Sequence, residues 1–445
     1  MKQLRPTPRI VTHVPFYYGW AVVGGVSATM FMSSTFAAPV FSIFIEPWTE
    51  EFGWSRTAIA GAFSFATVMA AMAGPLVGRS LDRYGGRVIL GGGALVMAAS
   101  LVSLGFVGSL LAFYAVFAVG RMAMMNIQNL ASHTVIANWF IRRRGLATAL
   151  TLNGNRVGMG VWPLVVGAVL ALEGWRAAFW VLGGTVAMLS LIPLILVVAR
   201  RPEEIGLAAD GVLLTPPDEE GSAPKQPSER QWTARQAIKA RPFWFLMLVH
   251  MAAMVGGGGI GVHRVPYFVG KGLDDSLVGP LLLAYAIGMS GGGFAAAGLG
   301  RFMNPRKVVA GFAIAAAIAA AMMLRVPGNW TAVLFSLIEG TVFGGMFTLL
   351  PVIYADYFGR LSIGTIRGLT HPMVVSANAV GPVYAGVIFD TRGVYDWAFL
   401  SFSLILLMGA VFAWFSRPPT PFIGASGHVD TPVPPVETGP VSGPV

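Results

Sequence analysis

The sequence predicts an all-α membrane protein, with twelve transmembrane helices in two six-helix bundles and both termini on the cytoplasmic side. Three observations predict it. Hydrophobic residues make up 55% of the 445 positions and charged ones only 11%, against roughly 25% charged in a soluble globular domain. Apolar stretches of about 20 residues, the length that spans hydrocarbon at ~1.5 Å per residue, recur along the whole chain. The second half of the chain also repeats landmarks of the first.

In chain order, the first eighteen residues are basic and contain proline, and the apolar run after them is too long for the core of a secretory signal. The N-terminus is therefore expected in the cytoplasm. The spans are predicted near 19–45, 57–78, 88–108, 110–138, 145–170, 176–199, 242–268, 277–300, 307–325, 330–356, 363–389 and 396–416. Residues 1–200 then form the first bundle and 242–417 the second. Between them, 201–241 is too charged and too rich in proline to form a domain and reads as a cytoplasmic linker. Residues 418–445 form a low-complexity, disordered cytoplasmic tail.

Orientation follows from Lys and Arg, which are retained preferentially on the cytoplasmic side. With both termini inside, 21 of the 30 basic residues fall in cytoplasmic segments and six in periplasmic ones, while Arg121, Arg156 and Arg367 lie within spans. The net charge of +10 is thus spread singly or in threes between apolar stretches. That pattern excludes a nucleic-acid-binding face. There is no cysteine, hence no disulfide or thiolate metal site. The repeat pairs Arg79 with Arg301, and the dipeptides at 139 and 357, at offsets of 218 to 222. Six helices per repeat restore the same topology, so the halves are related by an axis along the membrane normal.

Residues 74–87 read GPLVGRSLDRYGGR, which resembles the loop signature between the second and third helices of the major facilitator superfamily. Gly74 and Gly78 allow close helix approach, and Asp82 with Arg79, Arg83 and Arg87 forms a charge lattice suited to a conformational lock. Four further regions, YYGW at 17–20, NWFIRRRGLATAL at 138–150, RRPEEIGLAADG at 200–211 and the motifs within 357–395, resemble bacterial relatives of the monocarboxylate and oxalate:formate branch. The resemblance implies secondary active transport of a small organic anion by alternating access, often with a proton. It implies a monomer in membrane lipid, with no cofactor and no enzymatic activity. Two departures stand out: the eighth helix has no charge between Ser276 and Gly300, and Asn304 stands where the second copy of the loop signature would carry an acid.

A charge at the bilayer centre costs roughly 2.5 to 3.5 kcal/mol on insertion scales, so each intramembrane charge needs a reason. Arg121 in the fourth span and Arg156 in the fifth lie near the midplane and read as an anion clamp, because guanidinium is a rigid fork of donors. Gln128 falls on the Arg121 face and Asn153 lies one turn from Arg156, so both are candidate substrate contacts. Glu339, read as the only carboxylate away from the membrane faces, is the candidate proton carrier. The alternatives are a permanent ion pair between Glu339 and one of those arginines, or arginines satisfied by backbone carbonyls.

His263 stands in GGGGIGVHRVPYF, where four glycines and Pro266 are expected to loosen or break the helix. A substrate contact or gate is expected there. His371 shares a helix face with Arg367 and precedes Pro372, which suits a kink with substrate contact or proton relay. His133 and His250 rank lower. GMSGG at 288–292 and GGGGIG at 256–261 mimic hydrolase and dinucleotide motifs without the strand either requires. The competing readings are a proton-driven exporter of drugs or toxic metabolites, and a membrane sensor or intramembrane enzyme.

Overall fold

The computed structural model describes residues 16–198, 201–205, 207, 209–211 and 231–419. The expected N-terminal segment, most of the linker and nearly all of the tail lie outside the described residues. What is described is helical. The longer elements are α1 (Gly19–Ser33), α2 (Ala38–Ile43), α3 (Ile45–Phe52), α4 (Arg56–Tyr84), α5 (Gly86–Leu104), α6 (Leu110–Asn126), α7 (Ser132–Trp139), α8 (Arg144–Val186) and α9 (Ile192–Leu196). They continue with α10 (Ala234–Lys239), α11 (Arg241–Gly270), α12 (Val278–Phe302), α13 (Pro305–Met322), α14 (Trp330–Phe358), α15 (Ile363–Arg392) and α16 (Asp396–Phe415).

Among the described residues, ten helical stretches are long and apolar enough to cross a membrane, and α6 is a shorter apolar helix. The breaks have local causes. The first predicted span is interrupted after Ser33 by a 3₁₀ turn over Ser34–Phe36 before Pro39 opens α2, since proline suits a first turn but not an interior. The fifth and sixth predicted spans run together as α8 apart from Gly174, whose φ of 81° turns the chain sharply. A π-helical turn over Ile127–Ala131 separates α6 from α7, and a second over Ala187–Leu191 precedes α9.

Buried apolar side chains form two clusters, one drawn from Tyr18 to Val198 and the other from Trp232 to Ala413 with Ala137. Small residues set the helix approaches. A Cβ at Gly288 or Gly292 of α12 would strike the carbonyls of Leu337 and Thr341 on α14, while Gly340 and Gly344 meet the carbonyls of Tyr285 and Met289. Gly154 and Gly158 of α8 likewise lie against backbone of α1. In lipid, such close backbone contact replaces the hydrophobic drive available in water.

Contacts between the two halves gather at one end of the molecule. Gly78 of α4 abuts Gly364 and Gly368 of α15. Asp82 accepts from the backbone N–H groups of Gly364 at 3.0 Å and Thr365 at 2.7 Å, in the first turn of α15. There an acid satisfies orphan donors and meets the positive end of the helix dipole. Arg144 pairs with Asp356, and Arg360 Nη1 donates to the Asn138 carbonyl at 2.9 Å.

Candidate functional site

Between the halves lies a cavity of about 160 Å³, bounded by Met125 and Leu130 on one side and by α11 and α15 on the other. Its polar wall consists of His250, Arg367, Thr370, His371 and Asn378; Met254, Val374 and Val375 complete an apolar one. The helical period explains the set, since Arg367, Thr370, His371, Val374, Val375 and Asn378 recur three and four apart on one face of α15. Arg367 is 6% exposed and its Nη1 makes no hydrogen bond. His133, contributed by α7 of the other half, is buried nearby with Nδ1 unbonded. Arg367 acts electrostatically on His133, His250 and His371, and Tyr354 of α14 faces it as well. Among the described residues no carboxylate lines this cavity.

Sequence reasoning grouped the key residues differently. Arg121 and Arg156 share no partner among the contacts of the described residues. Arg121 is buried in the N-terminal half, where it donates to the Phe36 carbonyl at 2.7 Å and to Thr67 Oγ1 at 3.2 Å, with its guanidinium 3.4 Å from the centre of the Phe63 ring. The broken first span supplies that carbonyl, since Phe36 ends the 3₁₀ turn. Arg156 instead reaches across the interface to Gly293 of α12, beside Thr348, with Nη1 buried and unbonded. Asn153 turns back to the Ala149 carbonyl of its own helix at 3.1 Å. The side chain of Gln128 lies outside the described residues.

Glu339 is 2% exposed and both its oxygens are engaged by Arg264, Nε at 2.8 Å and Nη2 at 2.7 Å. The Arg264 guanidinium also stacks 3.8 Å from the Tyr285 ring centre, a cation–π geometry. Arg264 was counted among the periplasmic arginines on sequence, and it is buried inside α11 instead. The signal was present: the seventh predicted span ran to 268 and already contained it. The expected break before His263 does not occur either, because α11 is continuous from Arg241 to Gly270. Its glycines serve packing, Gly256 against Leu406, Gly258 against Asn378 and Gly259 against Phe402. His263 bonds the Pro382 carbonyl at 2.9 Å and the Tyr395 hydroxyl at 3.1 Å. His371 lies in the cavity wall with its ring against Gly74 of α4, and α15 stays helical through Pro372.

Long apolar helices around a polar cavity, with small residues at their crossings, are the build of a multi-pass membrane protein. The chain belongs to the Major Facilitator Superfamily, whose family model matches residues 23–377. It is 26% identical over 389 residues to an oxalate:formate antiporter of Oxalobacter formigenes, covering 85% of this chain and 87% of that protein. It is 25% identical over 426 residues to human monocarboxylate transporter 6, covering 91% and 81% of the two chains. The fold matches a solved proton:xylose symporter bound to 6-bromo-6-deoxy-D-glucose, with a TM-score of 0.71 over 90% of this chain and 96% of that one, at 14% identity.

Proposed function

We propose that this protein is a secondary active transporter that moves a small organic anion of the carboxylate class by alternating access, coupled to protons. The observation that carries this reading is Arg367: a buried guanidinium with an unbonded nitrogen, on a cavity between the halves that offers it no carboxylate. A buried cation without a counterion is costly, and a substrate carboxylate would relieve that cost with charge-assisted bonds. Arg156, which crosses the interface with its own unbonded Nη1, supplies a second contact as the halves rock, and His371 a third. Arg121 and His263 are already satisfied within their own halves and serve as supports. The carboxylate transport in the names of the two sequence relatives favours the same class.

The site is read in the setting of twelve spans, an inner-membrane location, cytoplasmic termini and a monomer, divided at the linker 201–241. The bias of Lys and Arg supports that orientation. Asp82, bonded to the first turn of α15 and grouped by the sequence motif with Arg79, Arg83 and Arg87, is the lock that holds the cytoplasmic end closed. An exporter of apolar drugs is the second reading, favoured by the Met125, Met254 and Val374 wall.

Purified protein screened by thermal shift against formate, lactate and oxalate tests the choice, since a ligand raises the melting point according to its affinity. Stabilisation by a carboxylate, lost in Arg367→Gln, is expected. Equal stabilisation of wild type and Arg367→Gln would discard the anion site. Stabilisation by apolar cations alone would favour the exporter.

A further inference from the structure

We infer that the coupling proton rides on the histidines around Arg367, chiefly His250 and His371, and that Glu339 is a structural counterion. This rests on the anion-transport reading and names the proton carrier within the same site.

Glu339 is poorly placed to carry the proton. Both its oxygens bond Arg264, Tyr285 covers that guanidinium, and Glu339 does not line the cavity. Protonating it would leave Arg264 buried beside a neutral acid. The described lining of the cavity has no acid, yet two imidazoles form part of its wall and His133 is buried close to them. The groups that face them are Arg367 on α15, His133 on α7 and Tyr354 on α14, with Gly74 of α4 against His371. Of these, Arg367 alone bears a fixed charge.

This arrangement couples anion to proton through electrostatics. In the empty cavity, the Arg367 cation opposes a second positive charge on His250 or His371. A bound carboxylate reverses that field, so a histidine takes up a proton as the anion enters. By linkage, the proton tightens anion binding to the same degree. Loaded with a monocarboxylate, the carrier then has the net charge of the empty one, because one negative charge and one proton enter together. On the side of higher pH the proton leaves first, and the anion, its site no longer carrying a protonated histidine, follows. His133 belongs to the opposite half, so rocking changes its distance from the group.

The test uses the full chain in detergent, with lactate, formate and oxalate as probes, and Kd measured calorimetrically at pH 5.5, 6.5 and 7.5 in two buffers of different ionisation enthalpy. Wild type should take up about one proton per anion, with Kd falling up to about tenfold for each unit of acidification. His250→Gln and His371→Gln should each flatten that dependence, and the double variant should abolish it, with whatever affinity remains no longer changing with pH. Replacing the other pair together, Arg264→Met with Glu339→Leu, should leave the slope in place. A slope retained without both histidines, or lost without Glu339, overturns the assignment. Should the double variant lose its melting transition, the wild-type count decides, and zero protons per anion overturns it. Failure of every probe to bind at every pH is a different result and removes the anion-transport reading on which the inference rests.

Discussion

Arg121 and Glu339 stand eleven and nine residues beyond the first residues of α6 and α14, at nearly the same depth in corresponding helices. The two halves treat that position in opposite ways. In the N-terminal half a cation is held by a backbone carbonyl, a hydroxyl and an aromatic face. In the C-terminal half an acid is held by a full counterion with a bidentate geometry. One buried group is solvated by dipoles and the other neutralised by charge. A repeated fold therefore conserves the depth at which polarity is tolerated, without fixing its sign.

The comparison is most easily broken at Glu339. Glu339→Gln strands the Arg264 charge and is expected to cost about 3–5 kcal/mol, whereas removing both charges together should cost much less. Melting temperatures of the purified variants measure this, and equal losses in the single and double variants would contradict the pairing. Arg121→Met removes a cation whose partners are neutral. A smaller loss, about 1–3 kcal/mol from the stranded Phe36 carbonyl, is expected. If it matches the Glu339→Gln loss, the contrast between the halves fails.

A second asymmetry lies at the end where the halves touch. Asp82 caps α15 of the opposite half, whereas Asn304, its counterpart in the repeat, caps Arg306 N of its own helix at 3.2 Å. Asp82→Ala should weaken the closed end by roughly 1.5–3 kcal/mol, read as increased labelling of a cysteine introduced at residue 365. Asn304→Ala should leave that labelling unchanged. The smallest effect belongs to Glu51, on the exposed α3. Hydrogen bonds from Arg176 and Trp175 hold its carboxyl below the usual range, so its contribution is present above the unfolded value near ~4.3. It is lost as pH falls through the lower folded value, and Glu51→Gln should remove that acid-side dependence while changing neutral-pH stability barely at all.

Much of the architecture was legible in the sequence because lipid leaves few alternatives. Every backbone group must be satisfied within a helix, so hydrophobic length alone marks the spans. Gly74 and Gly78 were expected to allow close helix approach, and Gly78 lies against Gly364 and Gly368 of α15. Arg264 lies inside the seventh predicted span but only about one turn from its end, and it was assigned to the water-facing side although a residue there can still face protein. The glycine run before His263 was read as a break, yet glycine in a packed membrane helix also admits a neighbour, as Phe402 does at Gly259.

The sequence by itself determined that this chain lives in a membrane, repeats, and must justify a small number of costly charges. Only the tertiary structure decided which charges meet: Glu339 with Arg264, Arg121 with Phe36 and Thr67, and Arg367 among histidines from both halves. The reason is physical. Helical periodicity fixes which residues share a face, whereas the neighbour each face meets depends on the rotation and lateral order of helices far apart in the chain.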